Sequence, residues 1–219
     1  GERLIEKNIV AACSTGGLTE FIVNMYKSGV LKQVNTCQCF DTTAVDFVRN
    51  HLESASTIGE YSDHTMKGRN TDRLDTVILG ATEVDTDFNV NVNTHSDGRM
   101  LHGIGGHQDV SSTANLTIIT VPIFRVKNPI VRDVVTTITT PGDIIDAIVT
   151  NEGIAINPKR KDLIDSCKGK IDLIDIEELK NMAYDETGGP IKPNLGEEII
   201  GMTKYFDGTV LDNIYQVLE

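Results

Sequence analysis

The chain has 219 residues, 39% hydrophobic and 24% charged, which is enough to bury one sizeable core, so a single domain over 1–219 is expected. A formal net charge of -12 argues against nucleic-acid partners, whose phosphates require clustered Lys and Arg. No run approaches the ~18 consecutive apolar residues of a membrane helix, and Gly1-Glu2-Arg3-Leu4 lacks a signal-peptide core, so a soluble, cytoplasmic protein is expected.

Position 1 is not Met and a strand-like run follows almost at once, which suggests a trimmed terminus or part of a longer chain. Asn8–Cys13 reads as a short apolar strand, Ser14-Thr15-Gly16-Gly17 as a turn, and Leu18, Phe21, Ile22, Met25 and Tyr26 recur at helical spacing. Leu31–Phe40 is then extended, and Thr43–Leu52 is helical with Asp41 or Thr42 as its N-cap. Alternating units of this kind predict an α/β fold with a mostly parallel sheet flanked by helices.

Asp75–Gly80 is apolar without alternation and reads as a buried central strand. β-branched residues predict further strands at Leu116–Val121, Val134–Thr139 and Ala147–Thr150. Short helices are expected at Leu163–Cys167 and Ile176–Tyr184. The chain closes with Ile199–Phe206 and Thr209–Val217 around Asp207-Gly208, the residues of a C-terminal hairpin.

Three segments could carry chemistry. Glu83–Asn93 alternates polar and apolar positions, which in a strand puts Glu83, Asp85, Asp87, Asn89, Asn91 and Asn93 on one face. A calcium loop is disfavoured because no glycine stands sixth and no glutamate twelfth. The remaining choices are a polar sheet face and, preferred, a polar strand edge lining a cleft.

Gly98–Asp109 contains closely spaced glycines, which let backbone N–H groups meet an anion or a developing oxyanion. An empty tight turn is the plainer alternative, and a dinucleotide fingerprint is absent. Ser14–Gly17 is the third segment, a glycine turn at a strand end and a helix start, offering free N–H donors. Helix capping would explain it as well.

Cys13, Cys37, Cys39 and Cys167 lack zinc spacing, the five histidines include no pair three or four apart, and no metal site is expected. No serine lies in a G-x-S-x-G elbow, which weakens a hydrolase reading. His107 stands out because it directly follows Gly105-Gly106.

Gly80–Val92, then Gly105-Gly106-His107, then Val149–Pro158 closely resemble the citrate lyase alpha chain in order and spacing, over nearly the whole sequence. The resemblance implies an α/β fold of the CoA-transferase (NagB/RpiA-like) type and the second of two related halves of a longer subunit. It also implies the transferase component of citrate lyase, which exchanges the acyl carrier between acetate and citrate to give citryl carrier protein. The implied partners are an acyl carrier (gamma) subunit bearing a CoA-like prosthetic group and a lyase (beta) subunit, in a homo-oligomeric assembly with no tightly bound cofactor.

More distant kin use a glutamate near the end of an early strand to form an enzyme thioester. The similar stretch here, Asn35–Asp41, holds none, which agrees with direct exchange through a mixed anhydride of bound acyl groups. On this reading Gly105 and Gly106 supply oxyanion donors and Gln38 hydrogen-bonds a substrate carboxylate. Ser14, Thr15, Gly16, Gly17, Asn89, Asn91, Asn93 and His107 would then line the thioester or pantetheine channel. The rivals are a transferase of free CoA esters and a ligand-sensing or docking module of the same fold.

Overall fold

A computed structural model describes residues 1–218. They form two compact units, Gly1–Leu74 and Asp75–Glu219, where sequence patterning draws no boundary.

The first unit runs α1 (Glu2–Glu6), β1 (Ala11–Leu18), α2 (Glu20–Lys27), β2 (Leu31–Cys39), α3 (Thr42–Asn50) and α4 (Ile58–Ser62). β1 and β2 are parallel, as a strand, helix, strand order requires. Val23, Met25, Ala44 and Phe47 from the helices share one core with Leu18, Leu31 and Val34. Ser14–Gly17, expected as a turn, instead forms the last half of β1, because each residue finds a partner on β2. The glycines serve a bulge there: Gly16 has φ +102, and the register slips by one residue between Gly16 and Gly17.

The second unit is larger. It contains β3 (Thr76–Leu79), β4 (Glu83–Asp85), β5 (Val90–Asn91), α5 (His107–Thr113), β6 (Leu116–Thr120), β7 (Phe124–Arg125), β8 (Asn128–Pro129) and β9 (Val131–Arg132). β10 (Ala147–Val149), β11 (Ile154–Ile156), α6 (Lys161–Cys167), α7 (Ile176–Thr187), β12 (Leu195–Lys204) and β13 (Val210–Val217) complete it. The main sheet has the order β11-β10-β6-β3, parallel except for β11. Smaller sheets are β5-β4-β9, the β7-β8 pair and the C-terminal β12-β13 hairpin. Val84, Phe88, Ile119, Ile145, Ile148 and Leu179 are fully or almost fully buried in its core.

Three expectations change here. β3 is an edge strand rather than a central one, with Ile78 exposed. Glu83–Asn93 is two short strands, not one; Phe88 turns the chain between them with φ +66. Val134–Thr139 forms no strand despite its β-branched residues, because side-chain carboxylates take the hydrogen bonds a ladder would need. Val135 N donates to Asp85 Oδ2 at 3.3 Å, Thr136 N to Glu83 Oε2 at 2.7 Å, and Ile138 N to Asp212 Oδ2 at 2.9 Å. The predicted hairpin forms, and its Gly208 takes φ +91.

Candidate functional site

Gly105 and Gly106 lie just before α5, with Gly105 at φ +62 and Gly106 as the helix N-cap. A Cβ on Gly105 would meet nothing within 4 Å, so backbone conformation rather than crowding demands glycine there. Neither N–H of this pair donates a hydrogen bond among the described residues. They are donors on a turn held in place by its neighbours.

The first turn of α5 does the holding. His107 Nε2 meets Gly80 O at 3.3 Å, so Nε2 carries the proton, and Nδ1 accepts from Thr140 Oγ1 at 2.8 Å. The next residue, Gln108, donates through Nε2 to Thr139 O at 2.6 Å and Lys204 O at 3.1 Å. Since Gly80 directly follows β3, these bonds put the glycine turn at the carboxyl end of a parallel strand, where open α/β sheets bind ligands. His107 is 8% exposed, and burial lowers its pKa to about 4, so the ring is neutral at physiological pH. With both nitrogens engaged by protein groups, it orients the turn and is poorly placed to exchange protons.

The polar residues of the β4–β5 region face inward instead of lining a cleft. Asn91 is 0% exposed; its Nδ2 donates to Glu83 Oε2 at 2.8 Å and Thr94 Oγ1 at 3.0 Å, and its Oδ1 accepts from Asn93 N and Thr94 N. Glu83 also pairs with buried Arg132 and accepts from Ser96 Oγ. Asn93 is 4% exposed and donates through Nδ2 to His102 O, while its O accepts from Leu101 N at 2.8 Å. It thereby ties down the segment that leads into the glycine turn.

Asn89 is half-buried. It donates through N and Nδ2 to Asp85, and its Oδ1 accepts from Gly142 N at 2.9 Å. Burial raises the pKa of Asp85, and the hydrogen bonds from Asn89 and Val135 oppose that rise. These residues hold the loops that hold the site. Sequence reasoning missed Gly80, Gln108, Thr139, Thr140 and Gly142; only the Thr139-Thr140-Pro141-Gly142 run advertised a turn.

The first unit contains the other candidates. The bulge sets Gly17 opposite Gln38, whose side chain is exposed. Thr36 Oγ1 donates to Gly16 O at 2.9 Å, which fixes the bulge, and the Phe40 ring covers Gly17. Thr15 Oγ1 is buried and has no hydrogen-bond partner among the described residues. The α2 start offers no open anion seat. Asp41 Oδ2 accepts from Glu20 N at 2.7 Å, while Asp41 Oδ1 caps α3 through Ala44 N at 2.8 Å.

A polar depression of about 340 Å³ between Asn35, Glu53, Ser56, Lys67 and Arg69 contains none of the predicted site residues. Among the described residues no group of three His, Cys, Asp or Glu could hold a metal, and no helix is long and apolar enough to cross a membrane.

Comparison with known proteins fits this architecture. The family model of the citrate lyase alpha subunit (CitF) matches residues 1–217. The citrate lyase alpha chain of Haemophilus influenzae is 39% identical over 100% of this chain and 44% of its own length. A crystal structure of a citrate lyase alpha subunit from Streptococcus mutans, in complex with citrate, superposes with a TM-score of 0.92 at 38% identity, covering 100% of this chain and 43% of that one. The malonate decarboxylase alpha subunit of Acinetobacter baumannii, at 15% identity and a TM-score of 0.54, shares the fold. The chain thus spans less than half the length of the relatives it matches, and over that span it belongs to the citrate lyase alpha subunit family.

Proposed function

We propose that the chain forms part of the transferase subunit of citrate lyase and exchanges an acyl carrier between acetate and citrate. The observation that carries this is the Gly105-Gly106 turn, whose unpaired N–H groups are held at the carboxyl end of β3 by His107 and Gln108. Preorganised donors of this kind favour the oxyanion of a tetrahedral intermediate over the flat carbonyl that precedes it. The citrate bound to the Streptococcus mutans relative supports citrate as one substrate.

In the reaction, a citrate carboxylate oxygen attacks the acetyl thioester carbonyl, and the oxyanion forms against the Gly105 and Gly106 N–H groups. Collapse expels the carrier thiolate and leaves an acetyl–citryl anhydride. The thiolate then attacks the citryl carbonyl, and acetate departs. Holding both acyl groups side by side supplies much of the rate. Asn35–Asp41 contains no glutamate to form an enzyme thioester, and on this reading the exposed Gln38 would donate to a substrate carboxylate. The gamma carrier and beta lyase subunits would be the partners upstream and downstream.

The test uses the complete alpha subunit with acetylated carrier and citrate. Proline cannot adopt φ +62, so Gly105→Pro should cut transfer at least a hundredfold. Borohydride added during turnover should leave no reduced glutamate. Unchanged transfer in Gly105→Pro would overturn the oxyanion assignment, and a trapped glutamate would favour an ordinary CoA-transferase.

A further inference from the structure

The C-terminal hairpin has its polarity reversed. An antiparallel sheet with one wet face normally turns apolar side chains inward and polar ones outward. In β12 and β13 the register pairs Gly201 with Ile214 and Thr203 with Asp212, and three of these four have polar or absent side chains. They face the protein: Thr203 Oγ1 donates to Ile138 O at 2.7 Å, and Asp212 Oδ2 accepts from Ile138 N at 2.9 Å.

The opposite face carries Ile200 at 56% exposure, Met202 at 50% and Val210 at 50%, beside their ladder neighbours Asn213 and Lys204. The register slip between Ile199 and Gly201 is a bulge, and it leaves consecutive Ile199 and Ile200 both in solvent. Together these side chains make an apolar patch on the order of 300 Å², on a two-stranded sheet that is a weak structure by itself.

We propose that this outer face of the hairpin docks against the remainder of the alpha subunit. The chain accounts for 44% of the Haemophilus influenzae relative and 43% of the Streptococcus mutans subunit, so most of such a subunit still has to pack somewhere. A second copy fits poorly. A two-fold contact through so small a patch would bring Glu197 and Glu198, exposed beside Ile199, close to the same acidic pair of a second chain of net charge -12. The inference rests on the family assignment and its length, not on the transfer chemistry.

The measurement is methionine oxidation by dilute hydrogen peroxide in the complete alpha subunit, read by peptide mass spectrometry. Met66 and Met100, 46% and 54% exposed, report on ordinary surface positions. Met202 should oxidise at least tenfold more slowly in the native subunit than in urea, and the protection should survive a hundredfold dilution. Oxidation of native Met202 at its urea rate would overturn the docking. Protection that disappears on dilution would assign the face to a second copy and overturn it equally. A subunit that protects Met202 yet transfers no acyl group would sink the proposed function and leave the docking standing.

Discussion

Asn91→Ala separates the interior role of the Asn-rich segment from a role in contacting substrate. The truncation removes the acceptor of two buried donors, Asn93 N at 3.0 Å and Thr94 N at 3.1 Å, and neither has another partner among the described residues. The groups that lose the Asn91 amide fare better. Glu83 Oε2 keeps Thr136 N at 2.7 Å, and Thr94 O keeps Thr82 Oγ1 at 3.2 Å. Two orphaned buried N–H groups cost about 3 kcal/mol together, a large share of a typical domain's ~5–15 kcal/mol. Urea unfolding followed by circular dichroism should show the midpoint falling by roughly 1.5 M for an m-value near 2 kcal/mol/M.

Asn91→Asp keeps the acceptor but sets a second carboxylate beside Glu83 in place of a donor, so it should also lower the midpoint. A midpoint shift below about 0.3 M, combined with a tenfold loss of transfer, would refute the interior reading.

His107 gives a pH signature. Its folded pKa of about 4 lies below the ordinary 6.5, so the unfolded chain binds a proton first and stability falls as pH drops from about 6.5 to 4, by roughly 3 kcal/mol. His107→Gln should flatten the difference between pH 7 and pH 4.5 in urea titrations; an unchanged slope would show that the ring is not buried neutral. Gly142→Ala would place a Cβ 2.0 Å from Asp87 O, so it should unfold the protein or cost more than about 3 kcal/mol. A soluble variant with unaltered thermal unfolding would contradict the close approach. Gln38→Ala, on an exposed side chain, should change stability by less than about 0.5 kcal/mol while lowering transfer by the complete subunit. Loss of both together would move Gln38 into the scaffold.

Much of the element pattern was legible because helices and strands advertise themselves by period. Asp41 was readable as an N-cap, and the Asp207-Gly208 turn as a hairpin tip. The errors cluster where a side chain competes with backbone. Val134–Thr139 has strand composition, yet Glu83, Asp85 and Asp212 take its N–H groups from distant positions in the chain. Ser14–Gly17 has turn composition, yet a neighbouring strand absorbs it through one bulge. The alternation in Glu83–Asn93 was real, but a period says which residues share a face and not whether that face meets water. Asn91 bonds backbone two and three residues on, while Asn89 and Asn93 reach Gly142 N and His102 O, which no local pattern connects to them.

The two carbonyls that share the Gln108 amide come from far apart in the chain, Thr139 and Lys204, the latter 96 residues away. Contacts of such separation form late, since a long loop must close before they repay its entropy. The parallel strands and the His107 bonds to Gly80 and Thr140 can therefore form first, and the last anchor of the turn closes when β12 arrives. A chain cut back before Lys204 should retain a sheet and lose one of the anchors of the Gly105-Gly106 turn, so the hairpin at the far end of the sequence helps to make that turn rigid.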